Sequence, residues 1–384
     1  MAARDAFIVE AVRTPVGRRK GALSSWHPAD LGALVIAAAI ERCGVDPAAV
    51  DDVILGCVNP IGSQAGNIAR TAWLSAGYPE DVPGVTVDRR CGSSQQAVSF
   101  AAQGIAAEAY EVVVAGGIEV MSRVPLGSPA QVGEEHGFGA VYEGNGWRSR
   151  YGYDAVTQFR GAELIAQKWG VERSAMEELA LASHERAVRA QREGRFEREI
   201  VPVDGCTADE GPRPDTSLEK MAALPPILPG GRLTAAVSSQ ISDAAACLIL
   251  ASETAVKRFG LKPRARVHTS VAVGSDPIMM LTGPIAATRR VLERSGLSLD
   301  DMDLFEVNEA FAPVIVAWLA ETGAAPERTN VNGGAISLGH PVGATGARLM
   351  TTLLHELERR GARYGLQVMC EGGGTANATV IERL

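Results

Sequence analysis

Short apolar runs alternate with amphipathic stretches in the first and last thirds of the chain. Residues 6–12 form a β-rich run, and residues 29–43 place apolar side chains at helical spacing up to Gly44. Residues 53–57 are a compact apolar run, and residues 94–110 form an alanine-rich helical pattern. Helices that alternate with short, fully apolar strands are typical of layers packed around a buried sheet. The pattern therefore predicts an α/β fold.

The middle of the chain differs in composition and in hydrophobic pattern. Prolines, glycines and charged residues dominate between residues 118 and 236, and one charged amphipathic helix is predicted near residues 174–193. After Ser239, short apolar runs again alternate with amphipathic stretches. A long segment with its own helix is often a lid or a binding region. We therefore interpret this segment as an insertion into the layered core.

The two ends of the chain resemble each other. Residues 41–53 and 293–307 both read as a helix, a glycine stop, a turn with aspartates and a strand. Each half then has a glycine-rich turn, an alanine-rich helix and a strand that is expected to end at glycines, at 116–117 and at 372–374. This repetition favours two similar halves with the insertion in the first. Chance similarity between α/β units is the alternative.

Composition and charge narrow the function classes. The 384 residues carry a net charge of −8, which argues against binding nucleic acid through a general positive surface. The six cysteines form no CxxC pair and are too few for a disulfide scaffold, so we expect no metal site. There is no apolar signal segment, no apolar run of about 18 residues and no peroxisomal C-terminus. We expect a cytoplasmic protein with no membrane partner.

Cys91 is the first candidate for chemistry. It follows a strand-like run at 85–87 and precedes small residues that open a helix, for which Ser93 or Ser94 suits the N-cap position. A thiol at the positive end of a helix dipole can have its pKa lowered by about one unit, which favours the thiolate. The alternative is a buried, unreactive cysteine behind a turn.

Three further candidates stand beside strands or glycines. Asn308 follows the predicted strand 304–307, at the strand end where open α/β sheets place their sites, although it could simply cap the helix that follows. His340 lies in a loop with five glycines at 332–348, where it could instead be satisfied by loop carbonyls. Cys370 ends a strand before the glycines at 372–374, whose backbone N–H groups could form an oxyanion hole or only a tight turn. Two thiols, a histidine and an asparagine together suit covalent acyl transfer through cysteine.

These four motifs, in this order, resemble the thiolase family, which includes acetyl-CoA acetyltransferases and 3-ketoacyl-CoA thiolases. The resemblance runs from residues 12–15 to the C-terminal glycines. It implies two similar βαβαβ halves in five layers, α/β/α/β/α, with an inserted loop domain that binds CoA. The expected domains are residues 1–117 with 238–262, the loop domain 118–237, and residues 263–384.

The resemblance also implies roles for matching residues. Cys91 would be the nucleophile that takes the acyl group, and His340 would accept its proton. Cys370 would be the second acid/base, and Asn308 would hold a water that donates to the enolate oxygen. The backbone N–H groups of Cys91 and Gly372 would form the oxyanion hole.

The binding residues implied by the resemblance are less fully specified. Thr234, Ala235 and Ser239 would contact CoA, which is a substrate and not a permanently bound cofactor, and Met280 would line the acyl pocket. Arg160 could pair with a substrate carboxylate or could be an ordinary surface arginine. Family members are homodimers or homotetramers, so we expect the same here.

Departures from the acetoacetyl-CoA thiolase pattern bear on the substrate. The CoA segment at 234–240 reads Thr-Ala-Ala-Val-Ser-Ser-Gln in place of Thr-Ala-Gly-Asn-Ala-Ser-Gly, and a His-Met pair is missing before residue 162. The segments 91–96, 158–161 and 238–243 are similar to degradative thiolases of actinobacterial steroid-ring breakdown.

The expected function is therefore CoA-dependent cleavage of a 3-ketoacyl-CoA from fatty-acid or steroid-ring breakdown, with Claisen condensation as the reverse reaction. The alternatives are a biosynthetic acetoacetyl-CoA thiolase and an inactive, thiolase-like lipid carrier, although a carrier should lack one of the four catalytic positions. A decarboxylating condensing enzyme of the same fold is disfavoured by Cys370. Nothing in the sequence favours an unrelated Cys-His hydrolase.

Overall fold

The computed structural model describes residues 4–152 and 156–384. Its strands are β1 (Ala6–Arg13), β2 (Gly17–Arg18), β3 (Asp52–Gly56), β4 (Gly84–Val87), β5 (Val112–Val120), β6 (Ser242–Ser252), β7 (Ala265–Gly274), β8 (Leu304–Val307), β9 (Tyr364–Glu371) and β10 (Thr375–Arg383). Its α-helices are α1 (Pro28–Cys43), α2 (Ile68–Ser75), α3 (Ser93–Ala106), α4 (Ser128–Glu135), α5 (Asn145–Tyr151), α6 (Gln158–Lys168), α7 (Arg173–Arg192), α8 (Leu218–Ala222), α9 (Glu253–Phe259), α10 (Gly283–Ser295), α11 (Ala312–Thr322), α12 (Ala335–Leu338) and α13 (Thr345–Arg360).

The sheet is built from two halves that share a four-strand order. The first half runs β4-β3-β5-β6-β1 and the second runs β8-β9-β10-β7, and a short antiparallel pairing between β1 and β7 joins them. In each half a parallel pair, β3 with β5 and β8 with β9, is followed by an antiparallel strand, and β4 adds one more parallel strand to the first half. This matching order confirms the prediction of two similar α/β halves.

Helices cover both halves and fill the space between them. Residues of α1 and α2 pack on one face of the first half. Residues of α3 and α13 form a second core that contacts strands of both halves. Residues of α10 and α11 pack on the outer face of the second half. The result is the expected order of five layers, α/β/α/β/α.

The central strands are buried on both faces, which explains their uninterrupted apolar sequences. In β5, Val112 and Val114 point into the core with α1, while Val113 and Ala115 point into the core with α3. Successive side chains of a strand point to opposite faces, so a strand between two helical layers needs apolar residues at every position.

The strand β5 is longer than its sequence predicts. It was expected to end at Gly116, yet it continues to Val120. A Cβ at Gly116 would lie 2.1 Å from the carbonyl oxygen of Ala246 on β6, and a Cβ at Gly117 would lie 2.1 Å from that of Gly343. These glycines therefore allow close backbone approach and do not end the strand.

The segment between β5 and β6 carries α4 to α8. Its buried residues form a core with α11 and with Cys370 of β9. A buried ion cluster also connects it to β1, because Arg13 contacts Glu199 at 2.7 Å and Asp209 at 2.6 Å and 3.0 Å. The segment therefore contacts both halves of the fold. The exact domain bounds stay a prediction.

Candidate active site

Four chain segments meet where strands end. Residues 88–92 follow β4, residues 308–311 follow β8, the turn 372–374 follows β9, and the loop 339–344 precedes α13. Three of these segments follow the carboxyl ends of strands β4, β8 and β9. Active sites of α/β proteins usually lie at the carboxyl ends of strands. The segments carry the four candidate side chains.

Cys91 is half-buried just before α3. The N-cap residue of α3 is Gly92, so the prediction of Ser93 or Ser94 at that position is wrong. Ser93 is the first helical residue, and its hydroxyl bridges the turn before it, accepting the N–H of Arg89 at 2.9 Å and donating to the carbonyl of Arg90 at 2.6 Å.

The surroundings of Cys91 favour the protonated form of its thiol. Burial raises the pKa of Cys91, as do the nearby groups of Cys370 and Glu371, while the backbone N–H of Gly372 acts in the opposite direction. The expectation that the helix dipole lowers this pKa is therefore wrong for the resting site, because desolvation outweighs it.

Cys370 and Asn308 lie side by side. The Nδ2 of Asn308 is 3.9 Å from the Sγ of Cys370, and both residues are fully buried. Burial raises the pKa of Cys370 to about 12, against the opposing effect of Asn308 and of the Ala310 backbone N–H. Asn308 is not a helix cap, because the N-cap of α11 is Phe311.

His340 is buried in the loop between α12 and α13. Its Nδ1 is 2.7 Å from the hydroxyl oxygen of Thr345, and that hydroxyl donates to the carbonyl of Pro341 at 2.8 Å. Its Nε2 is buried and has no hydrogen-bond partner among the described residues. Burial, together with the positive charge of Arg348, lowers the pKa of His340 to about 3. The imidazole is therefore neutral.

Glycines bring the His340 loop onto the start of α3. A Cβ at Gly346 would lie 2.4 Å from the backbone nitrogen of Gln95, and a Cβ at Gly56 would lie 2.7 Å from the carbonyl oxygen of Gly343. Side chains at these positions would separate the loop from the helix that follows Cys91. The glycine-rich pattern serves this close packing of backbone on backbone.

The predicted CoA segment lies between two of the site loops. The backbone N–H of Ser239 donates to the carbonyl of Ala310 at 2.9 Å, and the carbonyl of Gln240 accepts the N–H of His340 at 3.1 Å. Thr234 is buried, with no partner for its hydroxyl in the described chain, whereas Ala235 is exposed. The segment therefore adjoins both Asn308 and His340.

Met280 and Arg160 have different surroundings. Met280 is buried in the same apolar cluster as Cys370 and Phe311. Arg160 is exposed at the start of α6. The next residue, Gly161, packs against Met280, since a Cβ there would lie 3.2 Å from the Cβ of Met280. The start of α6 is thus close to the predicted acyl pocket.

Two residues of the site were missed in the sequence. In the sequence, Thr345 is one residue of the glycine-rich loop, and Glu371 stands between Cys370 and the glycines. Thr345 hydrogen-bonds His340, and the buried carboxyl of Glu371 lies against Gly92. A sequence signal exists only for Glu371, because an acidic residue directly after the apolar run 368–370 is unusual in a buried strand.

The described part of the chain contains no group of three or more His, Cys, Asp or Glu side chains that could hold a metal ion. A membrane-crossing helix is likewise not found in residues 4–152 and 156–384.

Two family models together match nearly the whole chain. Residues 6–254 match the thiolase N-terminal domain, and residues 261–383 match the thiolase C-terminal domain. The chain belongs to the thiolase family. It is therefore an acyltransferase, as the sequence motifs indicate.

Individual thiolases resemble the chain over its full length. It is 59% identical to the steroid 3-ketoacyl-CoA thiolase FadA6 of Mycobacterium tuberculosis, over 99% of this chain and 94% of that protein. It is 44% identical to the β-ketoadipyl-CoA thiolase of Pseudomonas aeruginosa, over 99% of this chain and 100% of that protein. The crystal structure of the Bacillus anthracis acetyl-CoA acetyltransferase superposes with a TM-score of 0.90 at 38% identity, covering 100% of both chains. The resemblance to thiolases of steroid breakdown is thus confirmed.

Proposed function

We propose that this thiolase cleaves a 3-ketoacyl-CoA with CoA through an acyl intermediate on Cys91. The observation that carries the proposal is the neighbourhood of Cys91. Cys370 and the backbone N–H of Gly372 are near enough to Cys91 to influence its pKa, and the loop of His340 packs on the helix that follows it. These contacts support a shared site of two thiols and a neutral base.

The first step is attack on the 3-keto carbon. Since burial raises the pKa of Cys91, the proton of its thiol leaves as the Sγ–C bond forms. The unprotonated Nε2 of His340 is the acceptor, because Nδ1 carries the proton that is donated to Thr345. The developing oxyanion accepts the backbone N–H groups of Cys91 and Gly372, and such donors stabilise a tetrahedral intermediate by several kcal/mol.

The second step breaks the bond between C2 and C3. The acyl group stays on Cys91, and the electron pair goes to the thioester enolate of the departing two- or three-carbon unit. Cys370 donates a proton to that enolate carbon. Its raised pKa of about 12 supports this role, because a thiol that stays protonated at neutral pH can act as a general acid.

The third step transfers the acyl group to CoA. Cys370, now a thiolate, removes the proton from the incoming CoA thiol, whose sulfur attacks the thioester on Cys91. The Cys91 sulfur leaves and recovers its proton from His340.

Asn308 would hold the water that donates to the enolate oxygen formed in the second step. Its Oδ1 is free of partners in the described chain, which supports such a contact.

The side chains around Cys370 support an apolar substrate. Met280, Phe311 and Ile336 share an apolar cluster with Cys370. Together with the 59% identity to a steroid 3-ketoacyl-CoA thiolase, this supports a degradative role with a substrate derived from a steroid ring or a fatty acid. Arg160, close to this region, is the proposed partner for a substrate carboxylate.

CoA is a substrate in this proposal, and no resident cofactor takes part. Thr234, Ala235 and Ser239 are the proposed CoA contacts, because their segment lies between the loops of Asn308 and His340. We also infer that the protein is cytoplasmic and forms a homodimer or homotetramer. Light scattering of the purified protein would measure its oligomeric state.

The test is a turnover assay with CoA and a panel of 3-ketoacyl-CoA substrates of increasing chain length, including one with an alicyclic ring. Both product thioesters are identified by mass. Cys91→Ala should reduce turnover by at least about 10³-fold. Cys206→Ala, which removes a partly exposed thiol outside the site, should retain it. Turnover that survives in Cys91→Ala would contradict the proposal.

A further inference from the structure

Glu371 lies in direct contact with the segment that carries Cys91. It is the last residue of β9, is fully buried, and sits between Cys370 and Gly372 in the chain. Its Oε1 lies only 1.8 Å from the position that a Cβ on Gly92 would occupy. The carboxyl group is therefore packed against the backbone of the residue that follows Cys91.

The two carboxyl oxygens of Glu371 have unequal surroundings. Oε2 accepts the hydroxyl of Thr375 at 2.6 Å, across the β9–β10 pair. Oε1 is buried with no hydrogen-bond partner in the described chain. An ionised carboxylate is costly in such a place because one oxygen has lost its water without gaining a donor.

The surroundings of Glu371 place it within reach of both thiols. Arg89 and Cys91 face it from the segment before α3, Thr375 faces it from β10, and Cys370 precedes it on β9. A negative charge on Glu371 disfavours ionisation of either thiol, and Arg89 partly offsets that charge.

We propose that Glu371 is a positioning residue whose own protonation controls how readily the Cys91 thiol ionises. The proposal rests on the function proposed for Cys91. In its neutral form Glu371 leaves a thiolate at Cys91 stabilised by the Gly372 N–H. When Glu371 releases its proton to solvent, its negative charge opposes that thiolate.

The ionisation of Glu371 falls in the neutral range. Burial raises the pKa of Glu371 to about 7, with the Thr375 hydroxyl and the Arg89 charge acting in the opposite direction. Below this pH the fraction of Cys91 thiolate should rise tenfold per pH unit. As the pH passes through the pKa of Glu371, the fraction of Cys91 thiolate should rise less steeply. Each increase in pH then also ionises Glu371, and this charge raises the pKa of Cys91.

The experiment measures alkylation of Cys91 by iodoacetamide from about pH 5 to about pH 9.5, followed by peptide mass, because only the thiolate reacts. The wild-type rate should rise, flatten near neutral pH and rise again. Glu371→Gln should give a single straight rise and should react roughly tenfold faster than wild type at pH 9, because the opposing charge is gone. An unchanged profile in Glu371→Gln would overturn the proposal.

Thr375→Val gives an independent test that leaves the carboxyl in place. Without the hydroxyl donor the ionised form of Glu371 is less stable, so the flattened region should move to higher pH. A profile that does not move would overturn the proposal, including in the case where Glu371→Gln fails to fold.

Glu306→Gln is the matched control. Glu306 is another buried carboxyl with its pKa raised by burial, to about 8, and it faces Arg348 instead of the thiols. The flattened region should persist in this variant, and its loss there would contradict a specific role for Glu371. Alkylation needs no turnover, so this test is independent of the acyl transfer reaction. If the alkylation profile depends on Glu371 as predicted but the protein forms no acyl intermediate, the proposed function is refuted and the role of Glu371 is not.

Discussion

The Nδ1 of His340 lies 2.7 Å from the hydroxyl oxygen of Thr345. That hydroxyl has one hydrogen, which it donates to the carbonyl of Pro341 at 2.8 Å. It can therefore only accept from His340, so Nδ1 carries the ring proton and Nε2 keeps its lone pair. This contact fixes the tautomer that a proton acceptor for Cys91 needs.

Thr345→Val removes this constraint. The valine has a similar shape but cannot accept from Nδ1, so the imidazole can adopt the wrong tautomer or rotate. We expect kcat/KM to fall by about 10- to 100-fold, part of the 10²- to 10⁴-fold that a positioned acid/base supplies. Thr345→Ser restores the hydroxyl and should restore most of the rate. Equal losses in both variants would show that packing, and not the hydrogen bond, is responsible.

Cys370→Ala tests the second thiol. Without its proton donor the enolate must be protonated by water, so turnover should fall by about 10²- to 10⁴-fold. Alkylation of Cys91 should continue, which shows that the site is still folded. Cys247→Ala, which removes a buried thiol from the core of β6, should keep turnover close to that of wild type. Turnover of Cys370→Ala within about threefold of wild type would contradict the assigned role.

Gly92→Ala tests the close packing beside Cys91. The new methyl group would lie 1.8 Å from Oε1 of Glu371, and we expect overpacking to lower the free energy of unfolding by about 1–3 kcal/mol. Adding Glu371→Ala should recover part of this loss, because the clash is removed. Gly274→Ala, where a Cβ meets no atom of the described residues within 4 Å, is the control. Additive losses in the double variant, measured by urea unfolding, would contradict the packing argument.

His184 links stability to pH. Burial and the positive charge of Arg213 lower the pKa of His184 to about 4 from its ordinary value of 6.5. The folded protein therefore keeps the ring neutral while the unfolded chain takes up a proton. This contribution to stability is complete above pH 6.5 and is lost as the pH falls toward 4, by about 1.4 kcal/mol per unit.

His184→Asn isolates this contribution. Asparagine can still accept the N–H of Arg213, which His184 accepts at 3.2 Å, but it does not titrate. The free energy of unfolding of the variant should fall less steeply than that of wild type between about pH 6.5 and about pH 4, by about 3 kcal/mol over that range. Parallel curves from urea unfolding would show that His184 does not remain neutral in the folded state.

Much of the fold follows from local sequence patterns. The predicted strand at 304–307 has the same limits in the structure, and the helix expected at 174–193 spans Arg173–Arg192. Burial recurs at helical spacing along the helix, whereas every residue of the strand is buried, and both patterns are strong signals. Gly116 was misread as a strand end, because the chain that approaches its backbone is β6, more than a hundred residues away.

The residues of the candidate site could be proposed from the sequence, whereas their electrostatics could not. The motifs around Cys91 and His340 suggest these side chains as reactive groups, which stays a prediction. The pKa of Cys91 could not be inferred, because it depends on burial and on Cys370 and Glu371, which approach it from the other half of the fold. The role of Thr345 could not be inferred from the sequence either. It depends on the conformation of the loop, which brings the ring of His340 next to the Thr345 hydroxyl.

Mass analysis after mixing the purified protein with acetyl-CoA tests the central claim most directly. The account predicts one acetyl group per chain, located on the peptide that contains Cys91 and removed when CoA is added. Cys91→Ala should take up none. An acetyl group on another residue, or one on Cys91 that CoA does not remove, would contradict acyl transfer through this thiol.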